Sequence, residues 1–101
     1  MSLVKSLHIL MSTSSNSTTM HSQAAIELAK QVGVSMFAVD TATKDTMGME
    51  LLACEPGRAV IRMTVKELHL NGHQICHGGF IFTLADSTFA FACNSYNKVA
   101  V

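Results

Sequence analysis

Residues 80–96 of this 101-residue chain, FIFTLADSTFAFACNSY, limit what it can fold into more than any other stretch. Phe80, Ile81, Phe82, Leu84, Ala85, Phe89, Ala90, Phe91, Ala92 and Cys93 would point in nearly every direction around a helix. A helix that is apolar on all sides is expected to be buried on all sides. A membrane span is the competing explanation, but it needs about twenty uninterrupted apolar residues, and Thr83, Asp86, Ser87 and Thr88 break the run. The segment therefore predicts a central core helix, and no membrane association is expected.

Asp86 is the only charged side chain between Gly78 and Asn97. In mid-helix it has poor helix propensity, and burial would add a desolvation cost. A structural carboxylate in such a place needs a cation, and the nearest in sequence are Lys66 and Lys98. It would then be paired across the fold or cap a neighbouring backbone. The functional alternative is a carboxylate held in a cleft as nucleophile or general base. Thr83, Ser87 and Asn94 fall near Asp86 on one helical side, because steps of three, four, seven and eight return to roughly the same face. Core packing gains nothing from such a polar seam, whereas a ligand channel or a subunit junction would use it.

His77, Gly78 and Gly79 form a turn where this helix should begin. The first backbone N–H groups of a helix have no acceptor within it, and its dipole presents the positive end there. Glycines let a ligand approach such a backbone closely, so an acyl carbonyl developing negative charge could be received as in an oxyanion hole. The plainer alternative is that Gly-Gly only makes the bend. Eight residues separate Gly78 from Asp86, which is roughly 12 Å along a helix at 1.5 Å per residue. One carbonyl carbon cannot lie about 3 Å from both groups on the same helix. If both act in one reaction, they come from two copies of the helix and the site straddles a dimer interface.

Composition points to the same oligomer. With 49% hydrophobic and 14% charged residues, some apolar surface is expected to face another subunit. Seven basic and seven acidic side chains cancel without any Lys/Arg cluster, so no nucleic-acid partner is expected. Cys54, Cys76 and Cys93 are odd in number and lack C-x-x-C spacing, which fits reduced thiols in the cytoplasm. His69, His73, Cys76 and His77 lie close together, but their spacing fits no zinc pattern and no metal site is expected. His77 is expected to orient the loop by hydrogen bonding.

Elsewhere the residues 1–20 are expected to be a disordered leader. The early apolar run is short and broken by His8, and STSSNSTT at 12–19 cannot bury apolar area. Residues 21–47 carry Ala25, Ala29, Val32, Met36, Val39 and Met47 mostly at three- and four-residue steps, predicting one long helix or two short ones. If there are two, the break falls near Gly33; Gly48 sits where a C-terminal cap belongs. Met49–Glu55 and Arg58–Val65, joined by Pro56 and Gly57, read as an antiparallel hairpin in which Ala59, Ile61, Met63 and Val65 share the buried face. Residues 66–79 read as a loop with special backbone needs. Residues 98–101 look like the start of a further strand.

The run NGHQICHGGFIFTLADSTFAFACNSYN, residues 71–97, closely resembles the PaaI family of phenylacetic acid degradation proteins, which are hotdog-fold acyl-CoA thioesterases. A looser resemblance extends back through the hairpin and the preceding helical region, about three quarters of the chain in all. The resemblance implies an α+β hotdog fold, a long central helix wrapped by an antiparallel β-sheet, with residues 21–101 as the N-terminal portion of a single thioesterase domain. Family members continue with three or so further strands that close the sheet and help bind CoA. The implied activity is hydrolysis of aryl-acetyl-CoA or related acyl-CoA thioesters in homodimers or homotetramers with shared sites. No cofactor is implied, because coenzyme A is part of the substrate. Asp86 matches the family's catalytic acid, supplied across the subunit interface. Gly78 matches the glycine whose N–H polarises the thioester carbonyl, Asn71 a polar group that positions water or substrate, and His77 the histidine that supports the loop. Gly79, Phe82, Thr83 and Ser87 are the expected substrate-contacting residues. Two further functions suit the same fold: an acyl-CoA hydratase or dehydratase, and a non-catalytic acyl-CoA-binding module.

Overall fold

The computed structural model describes residues 5–12 and 20–96. In chain order these form strand β1 (Lys5–Ser12), helix α1 (Gln23–Val39), a π-helical turn (Ala42–Thr46), strands β2 (Met49–Glu55) and β3 (Arg58–Val65), a 3₁₀ turn (Glu67–His69) and helix α2 (Gly78–Asn94). Period-two alternation makes β2 and β3 a hairpin as expected, and Gly57 (φ 72°) provides the left-handed residue that its tight turn requires. Ala59, Ile61 and Met63 are 0% exposed on one face of β3. On the other face Arg62 pairs with Glu50 at 2.7 Å and Arg58 with Glu55 at 2.7 Å. These exposed pairs contribute little to stability, so the inner face holds the sheet to the helices.

β2 carries a bulge. Its pairing with β3 steps from Leu51↔Ile61 to Ala53↔Val60, leaving Leu52 as the extra residue. The shift turns Cys54 inward again beside Ala59.

The third strand of the sheet is β1, antiparallel to the other side of β3 in the order β1-β3-β2. This corrects the expected leader for residues 5–12. Leu7, Ile9 and Met11 alternate with polar or exposed neighbours and pack against the core, so a segment too short to fold alone is held by β3's free edge. Residues 1–4 and 13–19, the rest of that expected leader before Met20, lie outside the described residues, as does the strand expected at 98–101.

Ser22 starts α1, its Oγ accepting the Ala25 N–H at 3.1 Å. Of the two alternatives the single helix forms, unbroken at Gly33. The helix runs through that position because it is pressed against β2 there: a Cβ on Gly33 would come 2.6 Å from the Cys54 Cβ. The helix stops at Asp40 instead, where Oδ1 accepts the Thr43 N–H at 3.1 Å. The Met47 N–H then donates to the Ala42 carbonyl at 3.1 Å, and Gly48 (φ 65°) leads into β2. Val39, placed by spacing on the buried stripe, is 79% exposed because the helical path ends beside it.

α2 lies on the inner face of the sheet, its Leu84, Phe91 and Ala92 in one cluster with Met49, Ala59, Ile61 and Met63. Thr88 is buried among them with its hydroxyl donating to the Leu84 carbonyl at 2.6 Å. The helix is not buried all round in this chain: Phe82 is 73% and Phe89 50% exposed. The described sheet covers one side only, and among the described residues nothing packs over Phe82 and Phe89 on the other.

Gly33→Ala should destabilise the fold. Forcing a methyl into a packed contact costs about 1–3 kcal/mol, against about 1 kcal/mol gained in helix propensity. Urea unfolding should therefore show a lower midpoint than the wild type, and a raised midpoint would mean that α1 can move off β2.

Candidate active site

The loop leading into α2 is built on the base of a small antiparallel closure. The His77 N–H donates to the His69 carbonyl at 2.8 Å, Leu70 and Cys76 bridge, and the Asn71 N–H donates to the Ile75 carbonyl at 2.8 Å. Asn71 organises the tip: its Oδ1 accepts from the N–H of His73 at 2.8 Å and of Ile75 at 3.3 Å, and its carbonyl accepts from Gln74. Gln74 takes the left-handed conformation at φ 63°. Of the polar groups of Asn71, Nδ2 alone has no partner among the described residues.

His77 is the N-cap of α2. Its Nδ1 accepts the Gly79 N–H at 3.0 Å, so the neutral ring carries its proton on Nε2. Gly79 is thereby occupied: its amide serves the cap and is not offered to a substrate. The Gly78 amide lies between these two held groups and has no acceptor among the described residues. Space beside it is open, since a Cβ on Gly78 would meet nothing within 4 Å. An exposed N–H at the positive end of a helix can receive a carbonyl oxygen.

Asp86 has neither a hydrogen bond nor an ion pair among the described residues. The structural alternative, a cation or a backbone held by this carboxylate, has no support there. It is exposed, not desolvated as expected for a fully buried helix, and stands between Phe82 and Phe89 at helical steps of four and three. The polar seam beside it largely serves the helix itself: the Thr83 hydroxyl donates to the Gly79 carbonyl at 3.0 Å and Asn94 Nδ2 to the Ala90 carbonyl at 2.8 Å. Ser87 is half-buried. The structure thus places Asn71 at the tip of the loop and His77, Gly78 and Gly79 where the loop enters α2, and sets Asp86 two helical turns along α2 with Phe82, Thr83 and Ser87 around it. Gly78 and Asp86 are on one continuous helix, so the distance constraint of about 12 Å applies to the folded chain.

His69 was missed as more than a loop residue. It is 1% exposed, its Nδ1 accepts the Lys66 N–H at 2.9 Å, and its ring lies 4.8 Å from that of Phe80. The proton must then sit on Nε2, which is buried without a partner among the described residues. An unpaired buried donor costs about 1–3 kcal/mol. No spacing rule marks such a histidine, since only its burial sets it apart. Burial, with the Lys66 charge nearby, pushes its pKa below the ordinary 6.5. Cys76 and Cys54 are pushed up by burial and are poor nucleophiles. Among the described residues no group of three or more His, Cys, Asp or Glu could hold a metal ion, and no helix is long and apolar enough to cross a membrane.

A three-stranded antiparallel sheet laid against a long helix that opens on His-Gly-Gly is part of the hotdog fold. Among solved structures it is similar to that of the Escherichia coli PaaI protein from the phenylacetic acid degradation operon, at a TM-score of 0.68 and 43% identity over 71% of this chain and 51% of that one. In sequence the chain is 46% identical over 67 residues to acyl-coenzyme A thioesterase PaaI of Escherichia coli (strain K12), 66% of this chain and 47% of that protein. It is 44% identical over 57 residues to a provisionally assigned esterase of Archaeoglobus fulgidus, 56% of this chain and 37% of that protein. No protein-family profile matches. The chain is homologous to PaaI, and it spans about half or less of the length of these curated relatives.

The sign of the His69 effect on stability follows from its lowered pKa. The unfolded chain takes up this proton near pH 6.5 and the folded chain only at lower pH, so the stability that neutral His69 contributes is whole above about 6.5 and is lost as pH falls through the folded value. Urea midpoints between about pH 7.5 and pH 5 should fall more steeply for the wild type than for His69→Asn. Equal slopes would mean that His69 titrates as it does in the unfolded chain.

Proposed function

We propose that the whole protein hydrolyses aryl-acetyl-CoA or related acyl-CoA thioesters to the free acid and coenzyme A. The observation that carries this reading is the unengaged Gly78 N–H at the exposed start of α2, on the same helix as an unpaired carboxylate. The homology to a thioesterase supports it. In the reaction the thioester oxygen accepts from Gly78 while Asp86 attacks the carbonyl carbon directly or takes a proton from an attacking water. A C–O bond forms and the C–S bond breaks; in the water route the leaving thiolate takes the proton that Asp86 removed, and in the direct route water then hydrolyses the acyl–Asp86 anhydride, giving its protons to the thiolate and the acid and restoring the carboxylate. Water supplies the oxygen of the acid and no cofactor is required.

His77 keeps the turn in place by holding the Gly79 amide, and the Asn71 Nδ2 group holds water or the acyl group. Because Gly78 and Asp86 of one helix cannot reach the same carbon, the working unit is a homodimer or a dimer of dimers, with Asp86 from one copy facing Gly78 of the other. The exposed Phe82 and Phe89 flanking Asp86 supply apolar surface for that pairing and for an aromatic acyl group. A cytoplasmic location fits the free cysteines.

Gly78→Pro tests the carbonyl-receiving amide with little disturbance. Position 78 is the first helical residue, where proline is tolerated, and His77 at φ −61°, ψ 133° already has the extended conformation favoured before proline. In the full-length protein kcat for phenylacetyl-CoA should fall by about 10²–10³ with the fold retained. Wild-type turnover would remove Gly78 from the reaction.

Asp86→Asn keeps shape and removes basicity, and it should abolish thiol release; near wild-type kcat would sink the mechanism. Mixing the Gly78→Pro and Asp86→Asn proteins so that subunits exchange should restore activity, because one site of each mixed dimer then carries both native groups. No recovery would place the two groups in the same subunit's site.

A further inference from the structure

His69 is a buried side chain that the proposed hydrolysis does not use, and two contacts join it to the turn that does. Its carbonyl accepts the His77 N–H at 2.8 Å, which closes the base of the loop. Its ring lies 4.8 Å from that of Phe80, the third residue of α2. The ring is itself fixed from below, because Nδ1 accepts the Lys66 N–H at 2.9 Å at the end of β3. Direct contacts therefore link the end of β3 through the imidazole to Phe80 in the first turn of α2, while the His69 main chain that carries this ring holds the backbone of His77. The peptide unit carrying the Gly78 N–H sits between the His77 N–H, held by His69, and the Gly79 N–H, held by His77 Nδ1 at 3.0 Å.

Packing alone does not account for an imidazole in this place. A phenyl ring would fill much the same space without burying an unpaired Nε2–H. What only the imidazole supplies is the acceptor at Nδ1, and burial keeps that nitrogen free of a proton.

We infer that His69 is a positioning residue for the hydrolysis, which sets the direction of the Gly78 N–H through the His77 backbone and the Phe80 ring. The inference rests on the hydrolase reading for its catalytic consequence. Displacing a reacting group by about an ångström can lower the rate a hundred-fold, so a loosened loop base would act on kcat more than on KM.

The test compares His69→Phe, which keeps a ring and loses the acceptor, with His69→Asn, which places Oδ1 where Nδ1 stood and loses the ring. Both are made in the full-length protein and assayed with phenylacetyl-CoA, and exchange of the His77 amide hydrogen is followed by NMR. His69→Phe should lose at least about ten-fold in kcat with KM within about two-fold, and its His77 amide should exchange faster. His69→Asn should keep kcat within about three-fold. Wild-type kcat and unchanged His77 exchange in His69→Phe would overturn the inference. So would equal kcat losses in both variants that track their loss of melting temperature, since that marks a purely structural role. If the wild type releases no thiol from any acyl-CoA, the hydrolase reading fails on its own, and His77 exchange in His69→Phe alone decides whether His69 holds the turn.

Discussion

Leu84, Phe91 and Ala92 of α2 pack on Ala59, Ile61 and Met63 of β3, and the placement of every other described element follows from that contact. Each large side chain buried there contributes about 1.5–3 kcal/mol, so the seam outweighs the exposed ion pairs on the outer face of the sheet. Both ends of α2 are tied to the strands it covers. At its far end the Ser95 hydroxyl donates to the Ala92 carbonyl at 2.6 Å while its oxygen accepts the Gly57 N–H of the hairpin turn at 2.7 Å. At its start the His77 N–H reaches back to His69, just beyond β3. The helix is therefore held in register with the hairpin along its length, and its first turn is presented in one orientation.

That seating divides α2 into two faces with different tasks. The face toward the sheet is closed and its one polar side chain, Thr88, is bonded within the helix. The other face shows Phe82, Asp86 and Phe89 without cover from the described residues. A carboxylate on an uncovered apolar strip is costly only once something covers it. In the proposed dimer that covering surface also brings the second Gly78, so assembly and the desolvation of Asp86 would occur together.

Much of this was legible in the residues. The hairpin shows in the alternation of Ala59, Ile61 and Met63 and in Pro56-Gly57, because a period of two and a tight turn are local properties. The start of α2 shows in His77-Gly78-Gly79, and the isolation of Asp86 shows in a count of charges. Other features were not legible. Gly33 resembles a helix breaker in sequence, yet its lack of a side chain serves the contact with Cys54, which is twenty-one positions away in the chain. Leu7, Ile9 and Met11 alternate as a strand should, but beside a Ser/Thr-rich stretch only a free edge on β3 makes them one. The burial of His69 leaves no mark in spacing or composition.

The sequence by itself determined which segments are helix or hairpin, where α2 begins, and that Gly78 and Asp86 are too far apart along one helix to meet at one atom. Those follow from periodicity, turn chemistry and the rise per residue, which act over a few neighbours. Only the tertiary structure decided which face of α2 is covered, that residues 5–12 join the sheet, that the Gly79 amide is taken while that of Gly78 has no acceptor among the described residues, and that His69 lies inside. Each of these depends on which surface or acceptor a distant part of the chain brings within reach, and local pattern does not encode that.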